Sequence, residues 1–218
     1  MKILIIFALL LLALVVGSLW LRWLSWRRPR PCPVWLALTF ERLLPDTILD
    51  PQSTLDRMGL RPGQRVLEIG PGTGRVLIPA AQRVLPGGKV VGIEIQPGML
   101  EELKLRAKQL DISNLTTILG DATQPHVPPE SFDVVYLCGT LGEIPDREAA
   151  LRQCYVALKP GGQCSITEIF PDPDFQPRAT VLRLADASGF RFQEIHGRWY
   201  YFTANFVKAS SSQQAPGS

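Results

Sequence analysis

The chain is 218 residues long, with a formal net charge of +3 and 46% hydrophobic residues, which is room for one domain with a full core and an appendage. The basic excess is concentrated in Arg22, Arg27, Arg28 and Arg30, and no basic patch interleaved with aromatics follows it, so composition argues against a nucleic-acid partner. Cys32, Cys138, Cys154 and Cys164 form neither a C-x-x-C pair nor a metal spacing, which argues against a metal site and for reduced thiols in a cytosolic compartment.

Taken in chain order, the first element is apolar. Ile3 to Leu21 are 19 residues without a charge, about 28 Å as a helix and close to the thickness of a bilayer core. A cleaved signal would have a shorter apolar core and a small-residue cleavage site. Here Trp20, Trp23 and Trp26 follow instead, among arginines, as in an interfacial aromatic belt. Residues 1–26 are therefore predicted to be a single-pass transmembrane anchor in the cell membrane. The arginines after the run place the remainder on the cytoplasmic side.

Residues 27–57 read as a Pro-rich linker, with Pro29, Pro31, Pro33 and Pro45, and a short amphipathic helix at Val34–Leu44. That helix could lie on the membrane, cap a ligand mouth or simply pack. The pattern does not choose among these.

From residue 58 to 208 the pattern alternates. Strands are predicted at Arg65–Ile69, Lys89–Ile95, Leu115–Leu119, Phe132–Cys138 and Gln163–Ile169. Helices are predicted at Thr73–Leu85, from Pro97 to about Leu110, at Asp146–Leu158 and at Thr180–Ser188. Apolar strands separated by helices imply an α/β domain with a parallel sheet covered on both faces. Phe190–Ile195 and Trp199–Val207 are joined by only His196-Gly197-Arg198. So short a connection requires an antiparallel hairpin. Residues 209–218 are predicted to be a disordered tail.

Val66-Leu-Glu-Ile-Gly-Pro-Gly-Thr-Gly74 runs from a strand into three alternating glycines. Such a loop lets a ligand lie almost on the backbone. The spacing is Gly70-x-Gly72-x-Gly74, with Arg75 where a dinucleotide fingerprint would place its last glycine. Glu94 closes the second strand, 20 residues beyond Gly74, where a carboxylate can accept from ribose hydroxyls. Asp121, after the third strand, could accept from an adenine amine or merely start a turn. Asp133 begins the fourth strand, away from the ligand edge, and reads as structural. The loop Cys138 to Asp146 leaves that strand at the ligand edge. Thr140 and Glu143 are its polar candidates for orienting a substrate or accepting a proton, and Glu143 could equally be an ordinary exposed loop residue. His126 and His196 read as incidental.

Val66–Gly74, Gly92-Ile-Glu94, Gly120-Asp-Ala122, Phe132-Asp-Val-Val135 and Leu158-Lys-Pro-Gly-Gly162 together resemble a class I S-adenosylmethionine-dependent methyltransferase. The branches most similar are those acting on ubiquinone or menaquinone precursors and on phospholipids. The resemblance implies a Rossmann-like seven-stranded sheet in order 3-2-1-4-5-7-6, with S-adenosyl-L-methionine as cofactor. It implies that Glu68, Gly70, Gly72 and Gly74 surround the methionine part, Glu94 the ribose, and Asp121 with Ala122 the adenine. The implied cofactor set is Glu68, Gly70, Pro71, Gly72, Thr73, Gly74, Glu94, Ile95, Gly120, Asp121, Ala122 and Cys138. Two departures stand out. Gly142-Glu143 replaces the His-His or Arg-Asn of many relatives. No sizeable insertion follows strand five, so any substrate cap must be small or come from residues 30–57 and the membrane.

The expected activity is methylation of a lipid, quinone or other amphiphile by an anchored enzyme. A protein or soluble-metabolite substrate, or a non-catalytic cofactor-binding module, would fit the same motifs. No metal is expected, and oligomeric state is left open.

Overall fold

Seven strands form one sheet in the order β3-β2-β1-β4-β5-β7-β6, as the resemblance implies. The computed structural model describes residues 16–17, 29–43 and 50–209. The predicted anchor lies outside these residues except at 16–17, and the predicted tail lies outside them except at residue 209. Among the described residues no helix is long and apolar enough to cross a membrane.

The strands are β1 Arg65–Ile69, β2 Lys89–Glu94, β3 Leu115–Leu119, β4 Phe132–Cys138, β5 Leu158–Ile169, β6 Arg191–Arg198 and β7 Tyr201–Val207. The first five pair in parallel, and β7 lies antiparallel between β5 and β6. Helices α1 Val34–Leu43, α2 Pro51–Met58, α3 Leu77–Arg83, α4 Pro97–Gln109, α5 Arg147–Ala157 and α6 Arg178–Ala187 complete the fold.

The central strands are apolar on both faces, and the two-residue period divides their side chains between two cores. Val66, Val90, Val134 and Tyr136 pack with Leu55 and Met58 of α2, Leu77 of α3 and Leu103 of α4. Leu67, Ile93, Val135 and Ile166 pack with Leu151 of α5, Val181 of α6 and Phe202 and Phe206 of β7.

Local readings change, and β5 begins at Leu158 rather than Gln163. Helix α3 begins at Leu77, not Thr73, because Gly72 and Gly74 hold positive φ of 54° and 91° and interrupt the helical path. Residues 51–57 of the predicted linker form, with Met58, a packed helix. Asp50 accepts from the amides of Gln52 and Ser53, Pro51 opens the first turn, and Gly59 closes the helix at φ 63°. The terminal hairpin turns at Trp199-Tyr200 rather than at His196-Gly197-Arg198, which belong to β6. Gly197 serves close approach there, since a Cβ would run into the carbonyl of Tyr201.

Candidate active site

The carboxyl ends of β1, β2 and β4 open onto one cavity of about 320 Å³, at the edge where open α/β sheets bind ligands. The loop after β1 forms its floor. The Gly70 amide donates to the Ile93 carbonyl at 2.8 Å and ties this loop to β2. The Thr140 hydroxyl donates to the Gly70 carbonyl at 3.2 Å and ties it to the loop after β4. A Cβ at Gly70 would overlap Thr140, whereas one at Gly72 meets nothing within 4 Å. Gly72 lines the cavity, so a side chain there would occupy space open to a ligand.

Glu94 is 6% exposed. Its carboxylate accepts from the amides of Gly72 at 3.1 Å and Gln96 at 2.9 Å. Each oxygen retains a lone pair for a further donor, so Glu94 both shapes the glycine loop and can receive ligand hydroxyls. Asp121 is exposed at the next strand end. Its Oδ1 accepts from the amide and hydroxyl of Thr123, so the turn-starting reading holds while the residue still lines the cavity. His126 Nε2 lies 2.9 Å from the Asp121 carbonyl and fills the space beside Gly120, a supporting role that its sequence position did not reveal.

Glu68, Glu94, Asp121 and Glu143 line the cavity together with one guanidinium, Arg75. Burial pushes the Glu68 carboxyl from 4.5 up to about 8, against the hydrogen bond it accepts from Tyr136 at 2.7 Å and assisted by the charge of Glu94. Burial likewise raises Glu143 to about 8, against the amide of Cys32, with Asp172, Asp174 and Glu94 adding to the rise. Burial and then the charge of Glu68 raise the Cys138 thiol, which therefore lines the cavity as a neutral group.

The fourth wall comes from the segment before α1. Pro31, Cys32 and Ala37 line the cavity. The Cys32 amide donates to Glu143 at 3.1 Å, and its carbonyl accepts from the Gln96 side chain at 2.9 Å. The backbone of one residue is thus held from both banks of the cleft, by the loop after β4 and the loop after β2. This segment therefore borders the cavity mouth.

Every predicted site residue lines the cavity except Gly74. A Cβ at Gly74 would overlap Leu103 of α4 and crowd Ile78, so this glycine sets packing beneath the site. Asp133 accepts from the Arg65 amide and pairs with Lys159 at the opposite edge, as a structural residue should. The sequence reading missed Arg75, Gln96 and Cys32. Gln96 and Cys32 act mainly through backbone and amide groups that no motif records. Arg75 was visible directly after the glycines. Among the described residues no cluster of His, Cys, Asp or Glu could hold a metal.

The glycine cradle and the acceptor at the second strand end lie within residues 66–162, which match the family described as "Methyltransferase domain", and the sheet order is the one expected of class I S-adenosylmethionine-dependent methyltransferases. S-adenosyl-L-methionine is the chain's cofactor. The open space over Gly72 and the acceptor oxygens of Glu94 suit the ribose and backbone approach of this cofactor. The chain is 37% identical over 122 residues to nocamycin O-methyltransferase of Saccharothrix syringae, covering 56% of this chain and 44% of that protein. It is 34% identical over 130 residues to the ubiquinone/menaquinone biosynthesis C-methyltransferase of Vibrio vulnificus strain YJ016, covering 59% and 49%. It thus spans about half the length of these relatives. A solved S-adenosylmethionine-dependent methyltransferase from Aquifex aeolicus shares the fold at a TM-score of 0.76 and 19% identity, covering 82% of this chain and 100% of that one.

Proposed function

We propose that the chain methylates an amphiphilic small molecule, such as a lipid or quinone precursor, while anchored in the cell membrane by residues 1–26 with its catalytic domain cytoplasmic. The observation that carries this reading is the cavity: carboxylates and glycine backbone at the β1–β2 side, and apolar walls closed by the Cys32 segment at the β4 side. The 19-residue apolar run supports the anchor, and the ubiquinone/menaquinone relative supports an amphiphilic acceptor. A tether raises the effective concentration of a membrane-dissolved acceptor around the site.

The cofactor supplies a methyl group on a positively charged sulfur for in-line displacement. The chain's residues mainly align the partners, which is orientation catalysis. In this reading Glu94 holds ribose hydroxyls, Asp121 and Ala122 border the base, and Glu68 with Gly70 and Gly72 flank the methionine part. Glu143 borders the acceptor. With its carboxyl raised to about 8, it can take a proton from an acceptor hydroxyl only in its ionised fraction, which grows as pH rises through that value. Thr140 orients the acceptor wall by fastening the β4 loop to the glycine loop. Incubation with methyl-labelled cofactor and a membrane lipid extract tests the reading. Label in the organic phase is expected. Label confined to protein or water-soluble products would redirect it to those substrates, and cofactor binding without any label transfer would indicate a non-catalytic module.

A further inference from the structure

We infer that the rim of the cavity is a second membrane contact: a ring of exposed aromatic and apolar side chains that sits in the headgroup zone of a lipid bilayer and turns the cavity mouth toward it. This rests on the anchored reading above and adds an orientation to it.

Of the twelve large apolar side chains left exposed among the described residues, Val16, Leu85, Leu105, Leu110, Val156 and Phe192 lie elsewhere, and six remain. Trp35, Ile95, Leu119, Phe170, Trp199 and Tyr200 are all exposed, and all lie on the cap helix or at the carboxyl edge of the sheet. Trp35 is 68% exposed on α1, whose Ala37 lines the cavity. Ile95 and Leu119 stand at the ends of β2 and β3. The hairpin tip reaches the same edge because Tyr201 pairs with Ile169, the last residue of β5. The tip is therefore two strand spacings, roughly 10 Å, from the end of β4.

The tip is also built to stay exposed. Trp199, 65% exposed, packs against Phe170 at 5.8 Å and Tyr200 at 5.5 Å between ring centroids. Phe170 packs on Phe175, which packs on the buried Phe202. The Phe170 amide donates to the Tyr200 carbonyl at 2.6 Å. A braced tryptophan–tyrosine pair held in solvent is costly unless something covers it, and these two side chains favour the boundary between water and lipid.

The occupant follows from where the remaining chain enters. The apolar run ends at Leu21, 11 residues before Cys32, and Cys32 is fastened at the cavity mouth. Eleven residues reach at most about 40 Å fully extended, close to the breadth of a domain of this size. The tether thus enters the domain at the edge that carries the aromatic tip. An amphiphile could then enter the cavity without crossing water.

The test uses the full chain in phosphatidylcholine–phosphatidylglycerol vesicles, with Cys32→Ser removing the half-buried thiol at the cavity mouth that would compete for label. An environment-sensitive fluorophore is attached at Arg198→Cys beside the tip, or at Leu110→Cys at the far edge. The expected result is blue-shifted emission at 198, quenched by nitroxide lipids, with neither effect at 110. Adding Trp199→Ser and Tyr200→Ser should abolish both effects while flotation with vesicles and S-adenosylhomocysteine binding persist. Flotation without quenching at 198 overturns the rim contact and leaves the anchor standing. Failure to float overturns the anchor and the rim contact together. A blue shift that grows with protein density but resists nitroxide lipids assigns the patch to a second copy of the chain and overturns the inference.

Discussion

Glu94 joins two tasks on one carboxylate, since it holds the amides of Gly72 and Gln96 and faces the cavity. Charge-assisted hydrogen bonds of this kind contribute about 1.5–3 kcal/mol, so Glu94→Ala should weaken S-adenosylhomocysteine binding by roughly 10- to 100-fold in a calorimetric titration. Unchanged affinity would remove Glu94 from the ribose site. Glu68 and Glu143 give a second expectation. Both carboxyls rise from 4.5 to about 8 in the fold. The folded protein therefore holds these protons more tightly than the unfolded chain, and stability falls as pH rises from about 4.5 through about 8. Thermal melts should show that decline, and Glu68→Gln should flatten it. A slope unchanged by that substitution would contradict the assignment. At this scale the sequence reading was uneven. Glu94 was legible because strand end and glycine loop stand at a telling distance. The buried Glu68–Tyr136 pair was not, because it joins neighbouring strands 68 residues apart.

At the scale of elements, the glycine loop works through its neighbours. Gly74 is pressed against Leu103 of α4. Gly74→Ala should therefore destabilise the fold by about 1–3 kcal/mol in urea melts, from overpacking and a disfavoured φ. The cap makes a separate claim. Gln96 holds the Cys32 carbonyl with its side chain, a bond contributing about 1 kcal/mol. Gln96→Ala should speed S-adenosylhomocysteine release about fivefold in stopped-flow displacement while leaving thermal stability nearly unchanged. Equal release rates would mean the cap does not gate the cofactor. Strands β1, β3 and β4 were readable to the residue, since continuous apolar runs bounded by turn residues admit few alternatives. Helix α2 was missed although Asp50, Pro51 and Gly59 mark its ends. Its surroundings had been read as linker on proline density, and eight residues give little periodicity. The hairpin turn was misplaced because glycine at 197 allows close backbone approach inside β6, and local sequence does not distinguish that from a turn.

For the whole molecule, the sheet order and the cofactor class could be read in advance because five spaced motifs had to agree with one topology. The cap could not, because its bonds join Cys32 to Glu143 across 111 residues. Removal of residues 1–28 should release the protein from membranes while cofactor affinity stays within about twofold, since the cap begins beyond the deletion and distant sites act independently. A large loss of affinity would show that the apolar segment belongs to the site. The most direct test of the account is a parallel calorimetric titration of the full chain with S-adenosylhomocysteine and with NAD. The cradle around Gly72 and Glu94 predicts saturable binding of the first and none of the second. Binding of NAD alone would contradict it.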